Sequence, residues 1–139
     1  MFKTLIVEDN ATFRQSLKAT LETEFPLMVI EEAEDGKEAM ERVTTFRPDL
    51  IFMDIKLPGE TGLDLTKRIK TNDTSIVIII LTSYDLPEYR EAAQQYGADY
   101  FVSKGSSTRE EILELVRSIS SNRGLDSHGP EKSGDSSMA

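Results

Sequence analysis

The chain of 139 residues has no cysteine and one histidine. Without thiols, a disulfide scaffold and any thiolate metal site are excluded. His128 stands alone in a polar stretch, which argues against a histidine ligand set or a phosphodonor histidine. Basic charge is scarce too. Against 25 Asp and Glu there are 16 Lys and Arg, a formal net charge of −9. Gripping nucleic acid needs clustered cations to neutralise phosphates, and an anionic membrane surface asks for the same, so neither partner is expected. Long hydrophobic runs are missing: residues 76–81 form the longest, far short of the roughly 20 residues that cross a bilayer. The apolar start Leu5-Ile6-Val7 is cut off by Glu8-Asp9, so no secretory signal is read and a cytoplasmic location is expected. The glycine spacings of P-loop and dinucleotide sites are absent as well.

What is present is enough apolar residue, 38%, to fill the core of one domain. Short β-branched or apolar runs at residues 4–7, 28–33, 50–53, 76–81 and 100–102 read as strands. Helical spacing lies between them. Phe13, Leu17 and Leu21 form one stripe, Ala39, Met40, Val43 and Phe46 a second, Leu65 and Ile69 a third. Residues 86–96 are the least regular stretch, and Ile112, Leu115, Val116 and Ile119 the clearest stripe. Thr108 with Glu111, or Ser107 with Glu110, can cap the last helix, and Asp35-Gly36 reads as a turn pair. Five strand–helix alternations imply right-handed crossovers and an α/β fold with a parallel sheet covered on both faces. Runs 50–53 and 76–81 lack alternation, as central strands do, whereas Glu31 and Glu32 mark residues 28–33 as an edge. The domain is expected over residues 1–121. Residues 122–139, rich in Ser, Gly and charge, read as a disordered tail or linker.

Chemistry collects where the strands end. Glu8 and Asp9 follow the first, Asp54 the third, Thr82 and Ser83 the fourth, Ser103 and Lys104 the fifth. In a parallel sheet these ends share one edge, where open α/β sheets bind ligands. Three carboxylates there repel one another unless a cation or proton is shared, and Mg²⁺ with its hard oxygen preference answers that need. Lys104 adds a fixed positive charge and Thr82 a hydroxyl. Together these are the parts for attaching a phosphoryl group to an oxygen nucleophile. Each part also has an ordinary reading. Glu8-Asp9 and Thr82-Ser83 are good helix caps, Asp54 is a common strand-end residue, and Lys104 can be a solvated loop lysine. Their conjunction on four strands is what carries the functional reading.

The segments Leu5-Ile6-Val7-Glu8-Asp9-Asn10, Asp49-Leu50-Ile51-Phe52-Met53-Asp54-Ile55-Lys56-Leu57-Pro58-Gly59, Thr61-Gly62-Leu63, Ile80-Leu81-Thr82-Ser83 and Gly97-Ala98-Asp99-Tyr100-Phe101-Val102-Ser103-Lys104 resemble a response-regulator receiver domain of two-component signalling. The resemblance implies a flavodoxin-like (βα)5 fold with a five-stranded parallel sheet of order 2-1-3-4-5. It implies that Asp54 accepts a phosphoryl group from a sensor histidine kinase or phosphotransfer protein. Asp9, Glu8, Asp54 and the backbone carbonyl of Lys56 would hold Mg²⁺. Thr82 and Lys104 would meet the phosphoryl oxygens, and Phe101, with Thr82, would switch conformation. The face built from the fourth helix, fifth strand and fifth helix would meet a second copy or an effector. Such a chain is a phosphoacceptor signalling domain rather than an enzyme, although it assists its own phosphorylation and dephosphorylation.

Three positions depart from the family pattern. Glu8 stands where many receivers have Asp, Gly105 where proline is frequent after the lysine, and Phe101 where tyrosine is common. Tyr84 and Lys56 are expected to flank the water's approach and tune the phosphoryl lifetime. A dehalogenase-type phosphatase would need an acid at Lys56, and the first loop of a flavin carrier should offer hydroxyls and amides to a phosphate, which Glu8-Asp9 would repel. The remaining alternative is a receiver-like interaction module that works without phosphorylation. Segments 57–62 and 103–106 are similar to receivers that precede LuxR-type helix-turn-helix domains, so a stand-alone receiver and the input half of a transcription regulator both stay open.

Overall fold

The computed structural model describes residues 1–123. Five strands alternate with five helices: β1 (Lys3–Val7), α1 (Ala11–Glu24), β2 (Val29–Ala33), α2 (Gly36–Phe46), β3 (Leu50–Met53), α3 (Gly62–Asn72), β4 (Val77–Thr82), α4 (Pro87–Gln95), β5 (Tyr100–Ser103) and α5 (Arg109–Asn122). All strand pairs are parallel and the sheet order is β2-β1-β3-β4-β5, as the resemblance implies. Strand β2, with Glu31 and Glu32, lies at the edge. Residues Met28 and Ile76 fall just before their strands rather than inside them. Both are buried, so their apolar character reflects core packing and not strand pairing. Helix α5 runs through Asn122, one residue past the expected domain edge. Residues 124–139 of the expected tail, with His128, lie outside the described residues.

The period-2 pleat divides the core in two. Leu5, Val7, Ile51, Met53, Ile78 and Ile80 face one way and pack with residues of α2, α3 and α4. Ile6, Leu50, Phe52, Ile79 and Leu81 face the other way and meet α1 and α5. Each such fully buried aliphatic or aromatic side chain contributes about 1.5–3 kcal/mol, so the sheet centre is the rigid part of the molecule.

Helix starts are set by caps. Asn10, Asp35 and Thr61 each accept a backbone N–H at the third helical position, and Thr108 with Glu111 makes a full capping box. Asp35-Gly36 is thus the start of α2 and not a free turn, because the Asp35 carboxylate takes the Glu38 N–H. Helix α4 has no side-chain cap and buries only Ala93. It is the least anchored helix, as its irregular sequence foreshadows. Chains leaving neighbouring strands β1 and β3 turn to opposite faces, so the crevice between their ends is the topological switch point.

Candidate functional site

That crevice holds the acids. Carboxylate oxygens of Glu8, Asp9 and Asp54 lie within 4.8 Å of one another. Glu8 and Asp54 are 3% and 7% exposed, whereas Asp9 is open to solvent. Sheet pairing fixes the spacing: the Glu8 N–H donates to the Ala33 carbonyl at 3.0 Å and the Asp54 N–H to the Val7 carbonyl at 3.1 Å. Neither Glu8 nor Asp9 caps α1, because Asn10 does. Glu8 Oε2 instead accepts the Asn10 N–H at 3.0 Å.

Lys104 is no solvated loop residue. Its ammonium donates to Glu8 Oε1 at 2.6 Å and lies 3.5 Å from Asp54 Oδ2. The Lys104 N–H donates to the Thr82 carbonyl at 2.8 Å, so pairing of β4 with β5 delivers the lysine to the acids. Burial pushes the Glu8 carboxyl above its ordinary value. Hydrogen bonds from Lys104 and Asn10 pull it down, and the Asp54 charge pushes it up again. A divalent cation relieves that same crowding, and three hard carboxylate oxygens suit Mg²⁺. The residues present therefore fit such an ion.

Thr82 is fully buried at the end of β4, and its hydroxyl accepts the Tyr84 N–H at 3.2 Å. Neither Thr82 nor Ser83 caps α4, which begins at Pro87. Lys56, two residues past Asp54, points its ammonium at the rings of Tyr84 and Tyr89, at 5.1 and 5.7 Å. Phe101 is set apart from the acids on β5, beside Ile80. Its ring lies 4.6 Å from the Arg90 guanidinium, which two hydrogen bonds hold to Asp85.

Two residues of this region escape a reading by pattern alone. Arg14, only 8% exposed, donates to the Glu8 carbonyl at 2.7 Å and to Glu32 at 2.8 Å, bracing the turn that carries both acids. Phe13, read as part of a core stripe, sets its ring 4.1 Å from the Lys104 ammonium. A charged residue inside an α1 face that is otherwise apolar was the one available signal for Arg14. For Phe13 there was none.

Comparison with known proteins agrees with this geometry. The family described as response regulator receiver domain matches residues 4–117. The chain is 38% identical over 100 residues to the chemotaxis protein CheY of Halobacterium salinarum, covering 72% of this chain and 82% of that one. It is 33% identical over 123 residues to the virulence transcriptional regulatory protein PhoP of Shigella flexneri, covering 88% of this chain and 54% of the relative. It thus spans about half the length of such regulators. Among solved structures it is similar to the response regulator protein TrrA of Thermotoga maritima in complex with Mg(2+)-BeF. That match has a TM-score of 0.76 and 33% identity, and covers 86% of this chain and 99% of that one. No helix among the described residues is long and apolar enough to cross a membrane. With the strand order, the acid cluster and the family match in agreement, the chain belongs to the response regulator receiver domains, a family of signalling domains rather than classical enzymes.

Proposed function

We propose that the chain is a phosphorylation-activated switch in which Asp54 accepts a phosphoryl group from a sensor histidine kinase or phosphotransfer protein. The observation that carries this reading is the meeting of Glu8, Asp9 and Asp54 within 4.8 Å, with the Lys104 ammonium 3.5 Å from Asp54. An Asp54 carboxylate oxygen attacks phosphorus, the P–N bond of the phosphohistidine breaks, and the imidazole leaves with the electron pair. A carboxylate approaches an anionic phosphoryl group against charge repulsion. Lys104, already 3.5 Å from Asp54, offsets part of that repulsion. Glu8, Asp9, Asp54 and the Lys56 carbonyl would hold Mg²⁺, which neutralises charge on the transferring group. The Mg(2+)-BeF complex of TrrA supports this assignment by similarity.

Once phosphorylated, Asp54 presents new oxygens to Lys104 and Thr82. Lys104 gives up its 2.6 Å bond to Glu8 to meet them, and the Thr82 hydroxyl turns from the Tyr84 N–H to donate to the phosphoryl group. Movement of the β4–α4 loop then frees Phe101 to change rotamer, at the cost of its contact with Arg90. The poorly anchored α4 is the element such a signal shifts most easily. The α4–β5–α5 face is the proposed meeting place for a second copy or an effector, in the cytoplasm. Water attack on phosphorus with loss of the P–O bond to Asp54 resets the switch, and Lys56 with Tyr84 stands beside that path.

The test is incubation with Mg²⁺ and acetyl phosphate, read by intact mass. One phosphoryl group is expected on the wild-type chain and none on Asp54→Asn. An unmodified wild-type chain would overturn the reading in favour of an interaction module that works without phosphorylation.

A further inference from the structure

Lys104 has a neighbour that bears no charge. Its ammonium is 4.1 Å from the Phe13 ring centroid, within the roughly 6 Å at which a cation is drawn to an aromatic face. The same ammonium donates to Glu8 Oε1 at 2.6 Å. Glu8 Oε2 accepts the Asn10 N–H at 3.0 Å, and the Asn10 side chain accepts the Phe13 N–H at 3.0 Å. These contacts close a circuit from Lys104 through Glu8, Asn10 and Phe13 back to Lys104. The cap of α1 therefore does more than start a helix: it ties the backbone that carries the ring to the carboxylate that holds the ammonium.

Phe13 packs against the core on the α1 and α5 side, but that packing does not require an aromatic ring. Phe13 is half-buried at the margin of the core, beside a cavity of about 170 Å³ shared with Leu17, Ser107 and Ile112. A leucine would cover the same apolar surface. What leucine lacks is the negative face of an aromatic quadrupole.

We propose that Phe13 is a positioning residue for phosphoryl transfer, acting through Lys104; this rests on the reading of Asp54 as the acceptor. When a phosphoryl group arrives, Lys104 must leave Glu8 and turn to the new anion. A carboxylate on its open side would compete for the charge, and water there would solvate it. The ring attracts the ammonium without neutralising it, so the full positive charge remains available at the acceptor.

The test uses the full chain, with Phe13→Leu, Phe13→Tyr, and Phe13 exchanged for mono-, di- and trifluorinated phenylalanine. Fluorination drains the ring's negative face with little change of shape. Three quantities are read: the rate of Asp54 phosphorylation by acetyl phosphate at saturating Mg²⁺, the NMR shift of the Lys104 ε-methylene, and the unfolding midpoint. The rate is expected to fall stepwise along the fluorinated series and by about 5- to 30-fold in Phe13→Leu, with Phe13→Tyr close to wild type. The Lys104 methylene, shifted upfield by the ring in the wild type, moves to an ordinary position in Phe13→Leu. A flat fluorinated series in a chain that is phosphorylated normally, or losses that only track the unfolding midpoint, overturns the role of Phe13 alone. A wild-type chain that takes no phosphoryl group overturns the Asp54 reading, and the role of Phe13 with it.

Discussion

Replacing Gly62 by alanine probes how tightly α3 is pressed against the strand that carries Asp54. A Cβ on Gly62 would fall 1.8 Å from the Asp54 carbonyl oxygen, 2.8 Å from its carbonyl carbon and 2.9 Å from Met53 Cγ. Carbon and oxygen rest comfortably at about 3.3 Å, so the two backbones must part by about 1.5 Å. Neither yields easily. Asp54 follows the central strand β3, and α3 is anchored by buried Leu63, Leu65, Thr66 and Ile69. Parting them also stretches the bond from the Gly62 N–H to the Ile55 carbonyl, now 2.8 Å. Overpacking of this kind costs about 1–3 kcal/mol, and a lost hydrogen bond about 1 more, for a total of about 2–4 kcal/mol. In a domain of this size that is a fall in Tm of about 6–20 °C. Gly59→Ala is the control. Gly59 has φ +87° but open space around an added Cβ, so only backbone strain of about 1 kcal/mol applies. Urea unfolding followed by circular dichroism, with acetyl phosphate labelling of Asp54, separates the two. Gly62→Ala should lose both stability and labelling, and Gly59→Ala a little stability alone. A Gly62→Ala chain no less stable than Gly59→Ala, with normal labelling, would refute the argument.

Three further outcomes follow from single positions. Thr4 is fully buried and its hydroxyl has no hydrogen-bond partner among the described residues, so Thr4→Val should raise stability by about 1–2 kcal/mol, seen as a higher urea midpoint at unchanged slope; a lower midpoint would contradict this. Arg47, exposed at the end of α2, holds φ 56°, a left-handed conformation that favours glycine, and Arg47→Gly should gain about 0.5–1 kcal/mol by thermal unfolding, a loss being the adverse result. Burial raises the Glu32 pKa, but hydrogen bonds from Arg14 and Lys18 outweigh it and hold the carboxyl below its ordinary 4.5. A depressed folded value stabilises fully above that ordinary value and is lost as pH falls through the folded one. Glu32→Gln should therefore cost about 1 kcal/mol at pH 7 and clearly less at pH 3, and equal costs in urea unfolding at both would refute the assignment.

Local sequence determined the number, kind and approximate place of the elements, because strand and helix periodicity are written residue by residue. The unbroken apolar runs around Ile51 and Ile79 announced strands buried on both faces, and the Thr108–Glu111 pair announced the start of α5. Glu8, Asp9, Asp54, Thr82 and Lys104 were legible as a set for a similar reason: each closes or follows a strand, and parallel strands end together. Tertiary structure alone decided how those side chains share their charges. Lys104 rests on Glu8, 96 residues away, more closely than on Asp54. Arg14 turns its charge inward to the Glu8 carbonyl, and Phe13 turns its ring to Lys104 rather than simply filling the core. Those choices depend on where α1 lies across the sheet and on the direction each side chain leaves it. Hydrogen bonds and ring faces act over a few ångströms and at defined angles, and such geometry exists only once the chain has folded.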